Sequence, residues 1–156
     1  MTMSNADKPP LERLWRQWAD FFRQRRPGGI GAEPLTPEHI DTFAQKSPGV
    51  FVLFERRGRE KKFLLKYVGK DNNNLNAALK RQLRLVGYRK KQGRKFKLYS
   101  RFALLHTNGA QEAYEIACRL YHMYKARPNN RHLHNRCHPA PPPGSVVSCP
   151  VAHCPK

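Results

Sequence analysis

"FLLKYVGKDNNNLNAALKRQL", Phe63 to Leu83, changes character at Gly69. Before the glycine, β-branched and aromatic residues read as a strand. After "DNNN" the period changes. Leu75, Ala78, Leu79, Leu83 and Val86 fall on one side at about 100° per residue, the pattern of an amphipathic helix. Upstream, "GVFVLFE" (Gly49 to Glu55) is a second strand, and the polar "RRGREK" between the two contains Gly58. The pair therefore reads as an antiparallel hairpin that leads into a helix. Lys80, Arg81 and Arg84 face away from the apolar stripe of that helix.

Downstream, "GYRKKQGRK" reads as a basic loop and "FKLYSRFALLH" as a third strand. "NGAQEAYEIACRLYHMYK" is a closing helix, with Ala110, Ala113, Tyr114, Ala117, Tyr121 and Tyr124 on its core face. "RPNN" ends it. The expected fold is α+β: a small three-stranded antiparallel sheet flanked by helices, in the order β-β-α-β-α. An N-terminal helical extension (1–46) precedes this domain (47–130). It contains an amphipathic, aromatic-rich helix over Pro9 to Arg25 and a short helix at "TPEHIDTFAQ", with Thr36 as N-cap and Pro37 in its first position. The aromatic helix either docks on its own domain or offers a face to a protein partner. The tail (131–156) is rich in Pro, His and Cys and cannot bury a core alone.

Charge points to the partner. Lys and Arg number 30 against 11 acids, a formal charge of +19. No Asp or Glu occurs between Asn72 and Gln111. That window holds Lys80, Arg81, Arg84, Arg89, Lys90, Lys91, Arg94 and Lys95. A run of cations with no interspersed acid suits a polyanion, and nucleic acid is the expectation, DNA ahead of RNA. No apolar run approaches the roughly 20 residues of a membrane span. The N-terminus lacks the apolar core of a signal peptide, so a cytoplasmic location is expected.

The four cysteines lie in the last quarter of the chain. In a reducing compartment this favours metal or free thiols. Cys118 and His122 share a helix flank at i, i+4, and Cys149 and Cys154 bracket a turn. Together they suit a tetrahedral Cys₃His zinc site, with His138, His153 and Cys137 as alternative ligands.

The hairpin also carries a resemblance. "GVF" opens its first strand and "YVG" (Tyr67 to Gly69) closes its second; a basic helix, a strand and a Glu-bearing helix follow. This resembles the GIY-YIG nuclease superfamily over Pro48 to Asn130. More narrowly, it is similar to small bacterial proteins with that domain and a Pro-rich tail, matched here by His138-Pro139 and Cys149-Pro150. The resemblance implies phosphodiester hydrolysis with one Mg²⁺ or Mn²⁺. It makes Gly49, Phe51 and Gly69 motif positions and gives Tyr67, Lys70, Arg81 and Glu115 catalytic roles, with Glu115 holding the metal. The pattern differs at three places, one being the last helix, where neither Glu112 nor Glu115 has the family's usual spacing to the later Pro and Asn. Phe51 stands where the family has a tyrosine. Ala77 stands where it has its arginine, and Arg81 comes one helical turn later. Two functions stay open: a metal-dependent endonuclease, or a non-catalytic nucleic-acid-binding module on the same fold.

Overall fold

The computed structural model describes residues 33–57, 62–125, 133–151 and 154. The expected aromatic helix, the Gly58 turn, Asn129, Asn130 and His153 lie outside them. The described elements are β1 (Glu33–Pro34), α1 (Pro37–Phe43), β2 (Gly49–Arg57), β3 (Lys62–Asp71), α2 (Leu75–Lys91), β4 (Tyr99–His106) and α3 (Ala110–Lys125). The sheet is antiparallel, in the order β1-β4-β2-β3.

Among the described residues it has four strands, not three. β1 is only two residues long, too short to show a period of two. Its register with β4 sets Glu33 opposite Phe102 and Pro34 opposite Arg101. Leu35 N–H then donates to Ser100 O at 2.9 Å. A proline is tolerated there because the strand is at the edge and needs no further partner. α1 begins as expected: the Thr36 side chain accepts from His39 N–H, and Pro37 opens the helix.

β2 lies at the centre, and its alternation supplies two cores. Val50, Val52 and Phe54 point to one face and pack with Leu65, Val68 and the α3 residues Ala113, Ile116, Ala117 and Leu120. Phe51 and Leu53 point to the other and pack with Leu75, Leu79 and Val86 of α2, and with Ile40 of α1. α3 therefore covers one face, and α2 together with α1 covers the other.

The hairpin register sets Phe51 opposite Gly69. The Phe51 ring lies directly over Gly69, so that a Cβ at 69 would run into it. Gly69 is thus fixed by close packing. Two residues earlier the pairing steps from Leu53–Tyr67 to Phe54–Leu65, which leaves Lys66 as a bulge residue.

"DNNN" is a built turn. Asp71 Oδ1 accepts from Asn73 N–H and Asn74 N–H at 2.9 and 2.6 Å. Asn74 Oδ1 caps α2 by accepting from Ala77 N–H at 3.0 Å. The helix then runs through Gly87 to Lys91, so most of the stretch expected as a basic loop is helical. Gly87 has open space around it and costs only propensity. The real stop is Gly93, at φ +68°. Gly93 N–H donates to Lys90 O and Arg94 N–H to Arg89 O, both at 3.0 Å, a Schellman closure. Arg89, Lys90 and Lys91 complement the negative end of the helix dipole.

The tail docks on the open edge of β3. His134 N–H donates to the carbonyl of the bulge residue Lys66 at 2.6 Å. Asn135 accepts from Val68 N–H at 2.9 Å and donates to Val68 O at 2.7 Å. Leu133 enters the α3-side core.

Gly69→Ala should lower stability by about 1–3 kcal/mol through overpacking against Phe51. Chemical denaturation of Gly69→Ala, Phe51→Leu and the double variant checks this. The double variant should cost less than the sum of the singles, since the shorter side chain relieves the clash. Strict additivity would contradict the contact.

Candidate functional site

Tyr67, Gly69 and Lys70 line a cavity of about 450 Å³, closed on its other side by Asn135 to Ala140 of the tail. Tyr67 is half-buried, and its ring meets Phe51 and Tyr99, each at 6.1 Å between centroids. Burial pushes its phenol above the usual range. Burial pushes the Lys70 ammonium down, against the pull of Asp71; its Nζ donates to Asn72 Oδ1 at 3.0 Å.

The other residues given catalytic roles are not gathered here. Tyr67 packs on the α2 side of the sheet. Glu115 is on α3, which covers the opposite face, and its carboxylate accepts from Gln111 Nε2 at 3.3 Å. Arg81 is exposed on the outer face of α2. Among the described residues no hydrogen bond or ion pair joins Tyr67, Arg81 and Glu115. Nor does any group of three or more His, Cys, Asp or Glu ligands include Glu115.

The cations of α2 and the following loop divide into two kinds. Lys80 is paired with Asp41 at 2.7 Å. Arg89 donates to Lys97 O at 3.1 Å, and its guanidinium lies 6.0 Å from the Tyr99 ring centre. Arg81, Arg84, Lys90, Lys91, Arg94 and Lys95 are exposed.

A second constellation is a metal-type cluster. One donor atom from each of His122, His138, Cys149 and Cys154 lies within 4.8 Å of the other three, and the group can hold a metal ion. His138 Nε2 is 3.1 Å from His122 Nε2 and 3.3 Å from Cys149 Sγ, and Cys149 Sγ is 3.4 Å from His122 Nε2. A tetrahedral zinc ion with its usual bond lengths would hold such donors roughly 3.3–3.8 Å apart. The Nδ1–H of His138 donates to Pro139 O at 2.8 Å. That bond fixes the tautomer and leaves Nε2 with its lone pair toward the cluster.

The expected ligand set is corrected at one position: His138 stands where Cys118 was expected. Cys118 is fully buried on α3. Burial pushes its thiol up to about 12, and its hydrogen-bond partners are Tyr114 and Cys149. Cys137 is exposed and lines the cavity.

Sequence reasoning missed a third group. Tyr99 and His134 Nδ1 are 2.9 Å apart, and His134 Nε2 lies 3.7 Å from Glu55 Oε2. With the Nε2–H directed at the carboxylate, Nδ1 accepts from the Tyr99 hydroxyl. Burial pushes the Tyr99 phenol well above its usual range. This network pins the tail to the α2 face. The one available signal was Glu55, an acid that shares the inward parity of Phe51 and Leu53.

No protein-family model matches the chain, and neither do any curated protein or any solved structure.

Titration of the reduced, metal-free chain with Co²⁺ should give thiolate-to-metal absorption that saturates at one equivalent. Cys149→Ser and His138→Ala should weaken binding at least tenfold, whereas Cys118→Ser should keep the one-to-one stoichiometry. Loss of binding in Cys118→Ser alone would restore that residue as a ligand.

Proposed function

We propose that this chain is a nucleic-acid-binding domain that grips the phosphate backbone through α2 and the loop after it, with a structural zinc ion holding its tail. The observation that carries the reading is the exposed set Arg81, Arg84, Lys90, Lys91, Arg94 and Lys95 in a stretch without a single acid. Exposed cations unmatched by carboxylates gain most from phosphates, since binding releases condensed counterions. Guanidinium groups add bidentate phosphate contacts.

Zinc suits the cluster on donor chemistry. Two imidazoles and two thiols form a closed, four-donor set with no place left for a reacting water, as in structural sites. Such an ion would join α3 to both ends of the tail and supply the ordering that the tail's composition lacks.

Hydrolysis remains the second reading, and Tyr67, Lys70 and Arg136 on one cavity favour it. Against it stand the placement of Glu115 and the raised phenol of Tyr67, which is a poor base near neutral pH.

Protein purified without a His tag should contain about one zinc per chain; a ratio near zero would remove the ion from the proposal. Binding to a fluorescent duplex DNA and to RNA should weaken steeply with salt. The log–log slope expected is about −4 to −5, for roughly five phosphates contacted. Arg84→Ala with Lys91→Ala should reduce the slope by about 2. Binding that ignores salt would refute the backbone reading. The same substrates incubated with Mg²⁺ or Mn²⁺ should stay intact. Cleavage that is lost in Tyr67→Phe and Glu115→Gln would instead establish the nuclease.

A further inference from the structure

α2 displays more than charge. Most exposed faces of a helix carry polar side chains. Here Tyr88 is 55 % exposed, Leu85 39 % and, in the following loop, Phe96 54 %. These large apolar side chains crowd into twelve residues of the acid-free stretch. At 100° per residue Tyr88 sits on the ridge directly opposite the buried Leu75–Leu79–Val86 stripe, flanked by Arg81, Arg84 and Lys91. Phe96 lies between Lys95 and Lys97. The Schellman closure at Gly93 turns the loop back toward the helix, and Arg89 holds Lys97 by its carbonyl.

A surface built only for a duplex backbone has no use for exposed rings. The phosphates it meets need donors and charge, and a ring left in water gains nothing from them. Rings set among cations suit a partner with both phosphates and open base faces. Stacking of bases on aromatic side chains, combined with a basic track for the backbone, is how single strands are held.

We infer that Tyr88 and Phe96 form a stacking platform for unpaired bases, so that the preferred ligand is single-stranded nucleic acid or a single-stranded segment of a larger one. This rests on the nucleic-acid reading and specifies its substrate class. Charge complementarity selects the occupant: an apolar protein segment would leave the surrounding guanidinium and ammonium groups without counter-charge.

The test is fluorescence anisotropy on the full chain with a labelled oligothymidylate, an abasic strand with the same number of phosphates, and the matching duplex. The oligothymidylate should bind at least tenfold more tightly than the abasic strand. Tyr88→Ala and Phe96→Ala should each cost about tenfold to a hundredfold on the oligothymidylate, with little change on the duplex. Tyr88→Phe should keep the affinity, because the ring is what stacks. Circular dichroism should show unchanged folding, since both rings are exposed. If both alanine variants bind the single strand like the parent while Arg84→Ala with Lys91→Ala weakens it, the platform is refuted and backbone binding survives. If none of the three ligands binds, both fall. Self-association abolished by Tyr88→Ala, without loss of strand binding, would assign the patch to a second copy of the chain and overturn the inference.

Discussion

The close approach of the Phe51 ring to Gly69 is the constraint on which the rest depends. Because side chains alternate along a strand, slipping the hairpin by one residue would exchange the two faces of β2. The observed register sets the Phe51 ring over Gly69, a position with no side chain. That register sends Val50, Val52 and Phe54 to α3 and Phe51 and Leu53 to α2. Beyond it the pairing shifts, and the extra residue of β3 falls at Lys66.

Contacts along the edge of β3 explain why a segment too poor in apolar residues to fold alone has a defined path here. Asn135 mimics one rung of a strand, since its amide satisfies both the N–H and the C=O of Val68. His134 takes the carbonyl freed by the bulge, and its ring reaches Tyr99 and Glu55. Four residues on, His138 meets His122 of α3 and Cys149. The tail thus touches the α2 side, the strand edge and the α3 side in turn. The wall it forms beside Tyr67 and Lys70 depends on all three attachments.

Much of this was legible in the sequence where a local period carried it. The hairpin, α3 and the core stripe of α2 followed from alternation and helical spacing. β1 did not, because two residues hold no period. The end of α2 was misplaced because Gly87 resembles a breaker, whereas the glycine with a positive φ is Gly93. In the cluster, His122, Cys149 and Cys154 were readable from spacing. His138 was not preferred over Cys118, because its position depends on how Asn135 pairs with a residue 67 positions away. The Tyr99–His134–Glu55 network is wholly non-local. The resemblance pointed to Tyr67 and Lys70, which do share one cavity, but parity alone could not say which face α3 and Glu115 would cover.

The two ends of the sheet have a common consequence for how the molecule behaves in a crowd. An uncovered strand edge recruits further strands and starts aggregation. One end here is β1, two residues long and ending in a proline that has no N–H to donate. The other is β3, whose Val68 rung is occupied by Asn135. A chain truncated before Leu133 would keep the hairpin and its three described helices, yet it would carry an open template for intermolecular pairing. The tail therefore covers part of that edge as well as forming a wall of the cavity.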